Sequence, residues 1–254
     1  MTMFTNKTAI LAVIKRDRLA AALANYLEEA PSDDYIWAKL MAAEAETQHA
    51  LRVWFTPREV IPESADAAEA AALAAGGAVV ELEPGYDYDP ALFHGNTWGR
   101  LDLRHTPIIA VHGITFTYPG VANSAFTVPR DWIRLDRKYG VVNLVPASSA
   151  VALPLDAFRL SILGGGRSVP LMVQVRYSAG LSNACADYPD LVDLVMKAAV
   201  LGMIDDQFVP QSGSVSADGL SQSISMDAQK YRDMLDRKTD RLRDALHGIR
   251  MVVL

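Results

Sequence analysis

Apolar positions in the first quarter of the chain recur at helical spacing. Leu19, Leu23, Tyr26 and Leu27 share one side of a helix predicted over Arg16 to Glu28 and stopped before Pro31. A second helix follows, with Ile36, Leu40, Ala43, Thr47, Ala50 and Trp54 at alternating steps of four and three. Ser32 can cap it, Asp33 and Asp34 suit the positive end of its dipole, and Pro57 ends it. The alanine-rich run from Ser64 to Ala75 stops at Gly76 and Gly77, as a short helix with a glycine stop would, although Leu73 is its only large apolar anchor.

From about Val79 to Tyr177 the period shortens, and apolar runs are broken by Pro, Gly and Asn. Strands are predicted over Trp98 to Leu103, Ile108 to Tyr118, Trp132 to Asp136, Val141 to Val145 and Leu171 to Tyr177. Arg137 to Gly140 reads as the turn of a hairpin, with Gly140 free to take a left-handed conformation. The short joints between these runs predict mainly antiparallel pairing.

After Gly180 the helical period returns. Pro189 and Asp190 open a helix to about Gln207, so apolar that only Asp190, Asp193 and Lys197 form a polar stripe. Such a helix needs cover on most sides, from its own domain or from neighbouring copies. Ser212 to Ser225, with six serines and two glycines, reads as a linker. A last helix is predicted from Ser225, carrying Tyr231, Leu235, Lys238, Leu242, Ala245 and Ile249 at steps of three and four, with Asp233 and Arg237 one turn apart. Gly248 ends it and leaves an apolar tail, Ile249 to Leu254, that needs a partner. These patterns predict an α+β fold. Residues 1–77 form an N-terminal helical segment, residues 78–180 a β-rich lobe, and residues 181–254 C-terminal helices and tail that bundle with the N-terminal ones.

The 254 residues are half hydrophobic, enough for a sizeable core. A formal net charge of −6 argues against a protein whose main task is to coat nucleic acid. Cys185 is the only cysteine, which excludes an internal disulfide and any multi-cysteine zinc site. No stretch has the apolar length of a membrane span, and the early apolar run Ala9 to Ile14 is followed at once by Lys15, Arg16, Asp17 and Arg18, where a secretory signal would place a small-residue cleavage site.

Candidate chemistry changes the picture little. Gly164 to Gly166 lacks the lysine and hydroxyl residue of a phosphate loop, and no serine sits in a G-x-S-x-G elbow. His49, His94, His105, His112 and His247 are scattered without metal-ligand spacing, and Asp87-Tyr88-Asp89 lacks the rest of a calcium loop. The charges of residues 227–244 nearly cancel, as on a solvated helix face. No catalytic, cofactor-binding or metal-ligating residue is expected; an α+β enzyme with an unfamiliar site remains an alternative.

The order of several phrases resembles head-to-tail connector, or adaptor, proteins of tailed bacteriophages. They are Ser32-Asp33-Asp34-Tyr35, Ala42 to Glu46, Thr106 to Val111, Pro129 to Asp136, Gln174 to Gly180, Tyr188 to Leu191 and Ser214 to Ser223. The resemblance covers most of residues 32–250, and the β-rich stretch exceeds what small, mainly helical members carry. It implies a structural virion protein, made in the host cytoplasm, and not an enzyme. It further implies a closed ring of twelve copies beneath the capsid portal, a second contact with a tail-side neck or tail-terminator protein, and genomic DNA passing through the channel, with no membrane partner. A neighbouring role as another neck or tail-completion protein stays open. The residues expected at assembly contacts are Leu191, Leu194 and Val195 on the over-apolar helix, Tyr231, Leu235 and Leu242 on the last one, and Ile249, Met251, Val252, Val253 and Leu254 of the tail.

Overall fold

A computed structural model describes residues 2–17, 20, 30–93, 99–117, 125–147, 168–206, 212–217, 220–225 and 228–247. The fold is α+β, in two compact units. One is the continuous stretch Thr56–Ser182; the other joins Thr2–Phe55 to Asn183–Ile249.

The second unit is helical. Its long helices are α1 (Lys7–Lys15), α2 (Asp33–Leu51), α6 (Pro189–Asp206) and α7 (Ala228–His247); α6 packs against α1, α2 and α7. Asn6 caps α1 by accepting from the Ala9 amide, and Ser32 caps α2 by accepting from the Tyr35 amide. On α2 the buried set is Ile36, Leu40, Ala43, Glu44, Thr47 and Leu51. The predicted stripe therefore holds through Thr47 and then shifts, because the helix ends at Arg52 in a left-handed conformation (φ 55°) and leaves Ala50 exposed. Leu191, Leu194, Val195, Ala199, Val200, Met203 and Ile204 of α6 are buried, so this unit itself covers the helix. The short run that the sequence set aside as merely apolar, Ala9 to Ile14, lies within α1 and buries Leu11 and Ile14. The helix predicted over Arg16 to Glu28 falls mostly outside the described residues, and Arg16 itself caps the end of α1.

The unit also contains a departure from expectation. Ser212 to Ser225 is not a linker but a hairpin of β10 (Ser212–Ala217) and β11 (Leu220–Ser225), with Ser212 opposite Ser225, Ser214 opposite Ser223 and Ser216 opposite Ser221.

The first unit is β-rich. In order come β1 (Arg58–Pro62), helix α3 (Ala67–Ala75), β2 (Val79–Glu83), β3 (Tyr86–Tyr88), the single turn α4 (Pro90–Phe93), β4 (Leu101–Asp102), β5 (Ile108–Thr117), β6 (Ala125–Thr127), β7 (Ile133–Asp136), β8 (Val141–Leu144) and β9 (Val169–Ala179); a further turn, α5 (Ala184–Asp187), belongs to the helical unit. The main sheet runs β2-β1-β9-β5-β6, with β3 also on β9, and a smaller sheet runs β4-β8-β7. Pairing is antiparallel except between β1 and β2, which α3 connects as a crossover. Residues 58–75 were grouped with the N-terminal helices, but β1 hydrogen-bonds to β9 and β2, which draws this stretch into the sheet. The hairpin at residues 137–140 forms as expected: Gly140 has φ 67°, and a Cβ there would lie 2.4 Å from Thr106 Cγ2.

Alternation on β9 buries Val173, Val175 and Tyr177 on one side and turns Gln174 and Arg176 to the other. That second side carries α3. The helix has no buried residue, and Glu69 anchors it by accepting from Arg176 Nε at 2.7 Å and from its Nη2 at 3.0 Å.

Candidate functional site

No group of three or more metal-capable side chains converges among the described residues. His49 is exposed on the last turn of α2, His112 contacts Glu59 at 3.1 Å across the sheet, and His247 meets the Leu51 carbonyl. Asp87 accepts from the Leu171 amide and Asp89 from the Ala91 amide, both at 2.9 Å, so this acidic pair caps backbone. His94 and Gly164 to Gly166 lie outside the described residues. Burial raises the Cys185 thiol pKa, and its Sγ contacts the Met3 carbonyl at 3.0 Å, a setting opposite to that of an activated nucleophile.

The most organised polar cluster belongs to the β-rich unit. β2 ends on Glu83, whose side chain is 4% exposed. Arg104 reaches it from the loop after β4: Nη1 donates to Glu83 Oε1 at 2.9 Å and to the Pro84 carbonyl at 2.7 Å, and Nη2 donates to the Gly85 carbonyl at 3.2 Å. Tyr86 donates its hydroxyl to the same carboxylate oxygen at 2.8 Å, accepts from the Arg104 amide at 3.1 Å, and stacks under the guanidinium at 4.2 Å. Burial, reinforced by the Glu83 charge, pushes the Tyr86 phenol above its ordinary value; the same causes act on Tyr177, where Tyr86 adds to them. Burial pushes the His105 imidazole down. Both phenols therefore stay protonated and the one carboxylate is held in an ion pair, so the cluster offers no poised base. Its geometry ties the end of β2 and the start of β3 to the Arg104 loop, a structural task, and leaves Glu83 Oε2 and the Tyr177 hydroxyl of β9 buried without a hydrogen-bond partner among the described residues.

In the helical unit a cavity of about 670 Å³ lies where α2 and α7 end, lined by His49, Ala50, Leu51, Arg52, Arg243, Asp244 and His247. Arg243 Nη2 donates to the Ala50 carbonyl at 3.1 Å. With His247 Nε2 against the Leu51 carbonyl, Arg243 meets the last carbonyls of α2, a C-terminal cap supplied from another helix. Sequence reasoning placed Arg243 among solvated charges, because nothing local pairs it with Ala50.

The residues expected at assembly contacts divide three ways. Leu191, Leu194, Val195, Leu235 and Leu242 are buried inside the helical unit, on helices that pack on each other. Tyr231 is half-buried. Ile249, Met251, Val252, Val253 and Leu254 lie outside the described residues.

Fold and clusters together define a two-unit α+β protein in which Arg104, Asp87 and Arg243 hold the chain's own segments together, while Glu83 Oε2 and the Tyr177 and Tyr231 hydroxyls are buried without a hydrogen-bond partner among the described residues. No family model matches the chain, and no curated protein matches it in sequence. A solved structure described as the neck of an empty GTA particle computed with C6 symmetry aligns with it at 14% identity and a TM-score of 0.40, covering 95% of this chain and 94% of that one. Among the described residues no helix is long and apolar enough to cross a membrane.

Proposed function

We propose that this chain is a structural subunit of a virion neck, the head-to-tail adaptor that forms a ring between the capsid portal and the tail. The observation that carries the reading is the order of phrases from Ser32 to Ser223, now set in a helical unit drawn from both halves of the chain with a β-rich unit between them. Arg104, Asp87 and Arg243 fit a structural subunit, since each straps or caps the chain's own backbone. Twelve copies would match a portal ring, a tail-side neck or terminator protein would sit on the far side, and DNA would pass the channel without sequence readout. The apolar tail Ile249 to Leu254 is a contact to the portal or to a neighbouring copy. The test is the mass of the purified protein alone and mixed with the portal protein of the same particle. A discrete ring on portals is expected; a chain that never joins portals, or that turns over a substrate, overturns the reading.

A further inference from the structure

Helix α7 carries two exposed stripes of opposite charge. Leu235, Leu242 and Leu246 are buried and fix the inward face. On the outward side Asp236, Asp240 and Asp244 are exposed at steps of four, and so are Arg237 and Arg241. Each aspartate precedes its neighbour by one residue or follows it by three, so the two rows run side by side, about 100° apart around the helix. The rows are not paired to each other. Arg237 donates from Nε to the Asp233 carbonyl, Asp240 pairs with Arg243 at 3.0 Å, and Arg241 has no carboxylate among the ion pairs of the described residues. The cationic row includes Met234, 36% exposed, and borders a shallow cavity of about 270 Å³ lined by Met234, Arg237, Lys238 and Arg241.

We infer that α7 is the lateral contact between copies of this chain, with the Arg237 and Arg241 flank of one copy set against the Asp236, Asp240 and Asp244 flank of the next. The inference rests on the ring reading, and it names the surface. A ring formed by rotation brings one side of each subunit against the opposite side of its neighbour. The acidic row, bordered on its far side by Arg243, and the basic row beside it can each meet the opposite row of a neighbouring copy. A nucleic-acid partner fits poorly, because the acidic row would lie as close to phosphate as the basic one. Exposed pairs are individually weak, so the rows fix register and partner choice while apolar contacts such as Met234 add affinity.

The test uses two charge-reversed full-length chains, R237E/R241E and D236R/D240R/D244R, each checked by circular dichroism for an unchanged helical signal. Analytical ultracentrifugation with portal present should show wild-type rings, and each reversed chain alone should lose ring assembly by tenfold or more in the concentration required. An equimolar mixture, in which all-acidic flanks meet all-basic flanks, should restore rings. Rings from either variant alone at wild-type concentrations overturn the α7 contact but leave the neck reading standing. A mixture that stays monomeric, or stops at dimers, also overturns it. A wild-type chain that never forms rings overturns both.

Discussion

Glu44 is 3% exposed in the middle of a helical unit, a position that a carboxylate holds only with partners. It accepts from the Thr2 hydroxyl and, at 2.8 Å, from the Met3 amide, and so straps the N-terminal segment onto α2. Replacing Glu44 with Ala strands the Met3 amide and should cost about 1–3 kcal/mol, read from urea unfolding, with faster amide exchange at Met3 and Phe4. At Glu83 the change to Gln keeps the shape but leaves the Arg104 guanidinium without its counter-charge. Because Arg104 is partly solvated and keeps the Pro84 and Gly85 carbonyls, about 1 kcal/mol should be lost by the same measurement. His105 gives a pH signature. Burial lowers its folded pKa, so the unfolded chain binds this proton more readily, and the stability it contributes is complete above the unperturbed imidazole value of about 6.5 and fades as pH falls through the folded one. Unfolding midpoints should drop from pH 7 to 5, and His105→Gln should flatten that slope.

At the scale of elements, legibility followed how local each signal is. α2, α6, β5, β7, β8, β9 and the Gly140 turn are written in short-range periodicity and were readable to within a few residues. β1 was not, because Arg58 to Pro62 is short and earns its place through pairing with β9, more than a hundred residues away. The hairpin β10–β11 was missed for another reason. Its serines recur at alternate positions and pair with one another, a period of two that an apolar pattern cannot register. Glu69 and Arg176 were equally silent, since only the folded sheet brings α3 over β9. α6 was read correctly as over-apolar, and the structure places its cover in its own unit. Val195→Ala should therefore destabilise the isolated subunit by about 1–3 kcal/mol in urea unfolding, before any assembly is considered.

For the whole molecule, the α+β class was legible, because helical and β-type stretches are segregated along the sequence. No site of chemistry was legible in advance, and the buried Glu83 cluster assembles only from three loops and strands. The tail carries a prediction at this scale: deletion of Met251 to Leu254 should leave a folded subunit that fails to join portal rings, as judged by electron microscopy of the mixture. The division of the chain has a further consequence. Arg58 and Ala179 are register partners, so the first and last strands of the β-rich unit run side by side, and their ends lie roughly 5 Å apart. To the helical unit, everything between Phe55 and Asn183 is a single loop already tied at its neck. A gene can then lengthen, shrink or exchange that passage without redesigning the bundle, and a chain in which a few glycines and serines replace residues 56–182 should still melt as one cooperative helical protein.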